Sequence, residues 1–170
     1  MTLLDIIRKR YSCRAYHKKP VEQEKLDQLF EAARLAPSAI NTQDWRFVVV
    51  TDNQIKSQLA QTTNRPDVFE KAGAIIAACS NSDHIMRCGQ PIAPIDVAIA
   101  LEHIALQAAE LSLGTCWIGS FDAEKVRTIL DIPDDIQIIE LMTVGHPADT
   151  PKEPKREPIE KIVCYDKWKF

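Results

Sequence analysis

No stretch of the chain approaches the ~18 consecutive apolar residues that a membrane-spanning helix needs. The opening Met1-Thr2-Leu3-Leu4-Asp5 has neither the basic start nor the long apolar run of a secretory signal. A soluble, cytoplasmic protein is the expectation. Positive charge is not in excess: 21 lysines and arginines against 24 acidic residues leave a formal net charge of −3. That balance disfavours nucleic-acid and anionic-membrane partners, which reward a dominating positive surface. Cysteine pairing motifs are missing too. Cys13, Cys79, Cys88, Cys116 and Cys164 are odd in number, dispersed and without a C-x-x-C, which suits reduced thiols rather than a disulfide framework. Repeats, low-complexity tracts and an internal boundary are also lacking. With 45% hydrophobic content, the 170 residues are expected to form one domain, 1–170, around one core.

What is present alternates helical and strand patterns. Leu3, Leu4, Ile6 and Ile7 predict a short helix over 2–9, and Leu26, Leu29, Phe30 and Ala33 a second over 22–35, stopped before Pro37. Strands are expected at 45–50 and 74–79, with a short helix over 54–61 between them. The longest helix is expected over 95–113, closed by Gly114 as a left-handed cap, with Asp96, His103, Gln107 and Glu110 as a thin polar stripe. A strand at 116–118, a helix over 123–130 with Asp122 as N-cap and a strand over 136–144 follow. Beyond Gly145-His146-Pro147 the chain turns proline-rich and charged. Residues 147–170 therefore read as an extended arm, whose Ile162, Val163, Tyr165, Trp168 and Phe170 are too apolar for a loose tail. The class is α/β, with strand order left open.

Chemistry concentrates at the N-terminus. Arg8, Lys9, Arg10, Tyr11, Ser12, Cys13 and Arg14 gather four cations and a hydroxyl where the first helix ends. One reading is capping, since cations suit the negative pole of a helix. The other is an anion cradle: Arg10, Ser12 and Arg14 alternate along an extended segment and share a face, and guanidinium groups bind phosphate in bidentate fashion. Arg156, distant in sequence, would complete the clamp. Cys79, Asp83, His84 and Cys88 lie close together, but their spacing fits no common zinc pattern, so no metal is expected. His103 reads as a hydrogen-bonded interface residue, His146 as a turn residue, and Trp45 and Trp117 as core.

Three segments, Arg10-Tyr11-Ser12-Cys13-Arg14, Pro37-Ser38-Ala39-Ile40-Asn41-Thr42-Gln43-Asp44-Trp45 and Cys116-Trp117-Ile118-Gly119-Ser120-Phe121, occur in this order with Gly145-His146-Pro147 and Arg156. Together they resemble the nitroreductase family of FMN-dependent oxidoreductases, in its short single-domain form. Tyr11 stands where the family usually has a basic or histidine residue, and Asp44 where it has proline. The resemblance implies a three-layer α+β fold, a central mainly antiparallel mixed sheet flanked by helices, with the C-terminal arm exchanged in a homodimer and FMN at the subunit interface. It implies that Arg10, Tyr11, Ser12, Arg14 and Arg156 hold the phosphate and ribityl chain, and that Arg14 also approaches the pyrimidine side of the ring. Pro37, Ser38, Ala39 and Asn41 would line the ring edge, and Asn64 would sit near the ribityl chain. The backbone of Ile118 and Gly119 would face flavin N5, and no side chain is expected to be an indispensable nucleophile or base. The implied reaction is ping-pong: NADH or NADPH gives hydride, and an electron-poor small molecule such as a nitroaromatic or quinone takes it. Two alternatives stand beside it: a same-fold flavoenzyme of reductive dehalogenation or flavin cleavage, and a non-enzymatic anion-binding module.

Overall fold

Four strands make one sheet in the order β1-β2-β4-β3, with β1 at Trp45–Val50, β2 at Ala74–Ser80, β3 at Gly114–Ile118 and β4 at Gln137–Gly145. The computed structural model describes residues 2–151 and 154–170, so positions 152–153 of the expected arm lie outside the described residues. Every pair of these strands is antiparallel. The helices are α1 (Leu3–Lys9), α2 (Gln23–Arg34), α3 (Asn53–Ala60), α4 (Pro66–Lys71), α5 (Ile92–Glu110) and α6 (Ala123–Leu130).

The central strand β2 explains the layering. All of its residues are buried, as expected of a strand covered on both faces. Side chains alternate across a strand, so Ala74, Ile76 and Ala78 join one apolar cluster with Leu26 and Leu29 of α2 and Val97, Leu101 and Ile104 of α5. Ile75, Ala77 and Cys79 join the other, with Leu59 of α3, Phe69 of α4 and Val126 of α6. The result is three layers: α2 and α5, the sheet, then α3, α4 and α6. α5 is long and apolar enough to cross a membrane by length and composition alone, but Val97, Ala100, Leu101, Ile104 and Ala108 spend that apolarity on the core.

The expected elements form, with informative differences at their ends. α5 begins at Ile92 rather than 95, because Pro94 falls in the first turn, where no backbone N–H needs an intrahelical partner. It does not close on Gly114. Ser112 takes the left-handed conformation (φ 59°), and the Leu113 N–H reaches the Ala108 carbonyl at 2.7 Å, a Schellman-type closure. Gly114 instead opens β3, where a Cβ would lie 2.6 Å from the Cβ of Cys13. α4 was not expected; its signal was Pro66 at the first helical position.

Two segments join the chain's beginning to its end. The bridge from Ser12 to Thr115 and the Cys13 N–H to Thr115 carbonyl bond (2.8 Å) run the N-terminal segment along the outer edge of β3. That covers backbone groups an edge strand would otherwise expose. On its far side, His17 N–H to His146 O (2.9 Å) and Ala148 N–H to Ala15 O (2.8 Å) stitch residues 15–17 to 146–148. On the aromatic arm, Trp168 is 84% exposed and Phe170 56%, with their ring centroids 4.9 Å apart. Both faces of the sheet are already covered by helices, so a single chain offers these rings no core.

Candidate functional site

α1 is capped at Thr2 by reciprocal bonds with Asp5, and it ends at Lys9 with Arg10 turning the backbone to an extended conformation (ψ 131°). The cations are thus divided between the helix and the extended segment that follows it. Arg8 and Lys9 occupy the last helical turn, while Arg10 to Arg14 leave the helix axis. Arg10, Tyr11, Ser12, Arg14 and Arg156 together line one open cleft of 420 Å³, joined by Asp149, Thr150 and Pro154. Among the described residues the Arg10 Nε is buried without a hydrogen-bond partner, and Glu102 of α5 stands 3.5 Å from it, a loose ion pair.

Asp149, which no sequence pattern singles out, organises this cleft. Its Oδ1 accepts from the Tyr11 hydroxyl at 2.7 Å and the Cys13 thiol at 3.2 Å, and its Oδ2 from the Arg14 backbone N–H at 2.9 Å. Burial, then donation to Asp149, pushes the Tyr11 phenol well above its ordinary range. Burial pushes the Cys13 thiol up to about 11, with the Asp149 contact acting in the same direction. Burial pushes Asp149 up as well, but the Arg14 N–H and the Tyr11 and Cys13 donors outweigh it and hold the carboxyl below its usual value. Near neutral pH the clasp thus has one protonation pattern: phenol and thiol donate, carboxylate accepts.

Arg14 also lines a second, smaller cleft of 160 Å³ with Asn64, Arg65, Cys116, Trp117, Ile118, Gly119 and Ser120. The loop bearing Asn64 is held against the Ile118–Gly119 turn by the Thr63 to Phe121 bridge and by Asp122 N–H to Thr62 O at 2.8 Å. Arg65, at the N-cap of α4, is a second cation here that sequence reading missed. Gly119 leaves the turn bare, and behind it stands Glu140 of β4, both carboxylate oxygens 3.5 Å from where a Cβ would be.

Pro37, Ser38, Ala39 and Asn41 line neither cleft. Their loop is nonetheless built to a demanding shape. Ile40 (φ 47°), Asn41 (φ 60°) and Gln43 (φ 55°) all lie in the left-handed region, uncommon for any non-glycine residue and more so for a β-branched one. Two contacts impose it. The Ala39 N–H sits 3.1 Å from both oxygens of Asp96, a carboxylate only 4% exposed, and the Gln43 N–H donates to Ser38 Oγ at 3.0 Å. Asp96 was expected on the polar stripe of α5; it is instead a buried latch. Such strain persists only where surroundings over-determine it, which is typical of ligand-contacting loops.

Of the remaining expectations, His103 Nδ1 bonds the Ala32 carbonyl at 3.1 Å, and His146 pairs with Glu22 at 3.2 Å. Trp45 is buried and Trp117 half-buried. Among the described residues no three His, Cys, Asp or Glu side chains are placed to hold a metal ion, and Cys79 points into the core.

The profile described as Nitroreductase family matches residues 7–65 and 56–146. A protein of Archaeoglobus fulgidus named "Putative NADH dehydrogenase/NAD(P)H nitroreductase" is 29% identical over 150 residues, 86% of each chain. The crystal structure of a nitroreductase family protein from Clostridium difficile 630 is 30% identical and superposes with a TM-score of 0.89 over 99% of this chain and 100% of that one. An FMN-dependent nitroreductase from Clostridium difficile R20291 is 26% identical, with a TM-score of 0.84 over 97% and 99%. The matching profile and the superposed structures agree: the chain belongs to the nitroreductase family.

Proposed function

We propose that the protein is an FMN-dependent NAD(P)H oxidoreductase that reduces an electron-poor small molecule such as a nitroaromatic or a quinone. One observation carries this reading: two contiguous clefts, one with three guanidinium groups and one with a bare backbone turn, share Arg14. Arg10, Ser12, Arg14 and Arg156 supply charge-assisted donors to the cofactor's phosphate. Asp149 fixes the Tyr11 to Arg14 backbone so that these donors converge. Asn64 serves the ribityl chain. Arg14 and Arg65 bring positive charge to the ring side, and the Ile118–Gly119 turn lets a flat ring lie against backbone N–H groups. When bound, FMN would supply the electron chemistry between the nicotinamide donor and the acceptor, which share one pocket.

Residues 1–170 act as one FMN-binding domain, with 147–170 as an arm exchanged in a homodimer. Leu3, Leu4, Ile7, Leu35 and Ile95 are exposed on and around α1, α2 and α5, as are Ile159, Tyr165, Trp168 and Phe170 on the arm. So much apolar surface is expected to be covered by a second copy. The loop of Pro37, Ser38, Ala39 and Asn41, which lines neither of these two clefts, would meet the ring from the partner side of that interface. Five unpaired cysteines fit a reducing, cytoplasmic setting. The test is the visible spectrum of the purified protein before and after anaerobic NADH or NADPH. Flavin bands that bleach with either nucleotide support the reading and name the donor; a colourless protein that gains no bands with added FMN refutes it in favour of a plain anion-binding module.

A further inference from the structure

Glu140 is the single charged residue of β4. It pairs with Ala78 where the β2 and β4 register shifts, and it flanks the proposed flavin-facing turn at Gly119. Bulges re-aim side chains, and the neighbours on either side, alanine and glycine, leave room for a carboxyl group. Its Oε1 is buried with no hydrogen-bond partner among the described residues. Burial raises the carboxyl above its usual range, although the Leu141 and Ile118 N–H groups pull the other way. An unpartnered buried carboxylate oxygen is destabilising, and nothing in the packing of β4 requires one there. Charge is arranged on both sides of the turn: Arg14 and Arg65 line the cleft in front, and these two cations and Glu140 all act on the Cys116 thiol beneath.

We propose that Glu140 is a positioning residue for redox chemistry: acting through the Ile118–Gly119 turn, its carboxylate opposes the negative charge that reduction brings to a bound flavin and holds the cofactor's midpoint potential down. The role rests on the FMN reading above. It makes the site a ready donor of electrons, with the two arginines and the carboxylate pulling the potential in opposite directions.

The test is a reductive titration of the FMN-loaded protein against a reference dye, comparing wild type with Glu140→Gln and Glu140→Met. Both variants remove the charge, one keeping the shape and polarity, the other filling the space with an apolar chain. The expected result is unchanged occupancy by oxidised FMN and an upward shift in both. At the poise that half-reduces wild type, the reduced-to-oxidised ratio of the variants is about tenfold higher, a shift of about 30 mV for a two-electron couple. Midpoints identical to wild type in folded, fully loaded variants overturn the Glu140 proposal and leave the FMN reading standing. A shift in the methionine variant alone also overturns it, because packing rather than charge would be responsible. Failure of wild type itself to bind FMN overturns the FMN reading, and this proposal with it.

Discussion

Replacing Asp149 with alanine tests whether the clasp shapes the anion cleft or merely tethers the chain. The carboxylate receives the Tyr11 hydroxyl at 2.7 Å, the Arg14 N–H at 2.9 Å and the Cys13 thiol at 3.2 Å. Hydrogen bonds to a charged group contribute ~1.5–3 kcal/mol each, and a thiol is a weak donor. Tyr11 is only half-buried and Arg14 exposed, so water recovers much of the loss, and about 2 kcal/mol of ordering is expected to disappear. An opposing effect must be weighed. Asp149 is itself negative beside a phosphate site, and its removal relieves repulsion. For a dianion ~7 Å away in a water-like medium this amounts to ~1 kcal/mol, and physiological salt cuts it to ~0.5. Ordering wins by about 1.5 kcal/mol, so FMN affinity should fall about tenfold. Asp149→Asn, which drops the charge but keeps one acceptor, should lose less. The assay is titration of FMN fluorescence quenching at a temperature where both variants are folded. FMN bound as tightly by Asp149→Ala as by wild type, or more tightly by Asp149→Asn, would refute the reasoning and make repulsion the larger effect.

The double variant Arg10→Ala, Arg156→Ala removes two charge-assisted partners worth ~1.5–3 kcal/mol each and should emerge from purification without FMN; full occupancy in its spectrum would sink the phosphate-clamp assignment. Gly114→Ala places a Cβ 2.6 Å from the Cys13 Cβ and 2.7 Å from its sulfur, so overpacking should cost about 1–3 kcal/mol, read as a lowered midpoint in urea. Cys13 and Cys79 both rise from 9.0 to about 11 on folding, chiefly through burial. The unfolded chain therefore releases these protons first, and their contribution, complete below pH 9, is lost as pH climbs toward 11. Thermal midpoints should fall across that window, and less steeply in Cys79→Ala; a flat profile would count against the buried-thiol account.

The elements written in local pattern were legible in the sequence. Leu26, Leu29 and Ala33 at helical spacing gave α2, and the apolar run through Ile75 and Ile76 gave β2, because propensity and period operate within a few residues. Arg10, Tyr11, Ser12, Arg14 and Arg156 could be grouped from sequence, and they do line one cleft, because guanidinium groups announce their chemistry wherever the fold sends them. Asp149, Asp96 and Glu140 were not. An aspartate in a proline-rich tail or on an apolar helix looks the same whether it meets water or a backbone N–H more than fifty residues away, and only the fold settles which. Strand order was closed to sequence for the same reason: the pairing of β2 with β4 spans the whole of α5, β3 and α6. The left-handed Ser112 in place of Gly114 shows a local rule yielding to a distant one, since the glycine was needed where Cys13 presses against β3.

The seam between residues 13–17 and 146–149 has a consequence for the order of events on the ribosome. Arg14 precedes by 135 residues the carboxylate that shapes its segment, and the third guanidinium of the cleft, Arg156, comes later still. A nascent chain that has built α1, α2 and most of the sheet still lacks the cleft, and the outer edge of the sheet stays open until β3 meets the waiting N-terminal segment. The cleft is therefore completed only after every strand has been made, and a chain halted before β4 would lack both the strand that joins β2 to β3 and the Asp149 clasp.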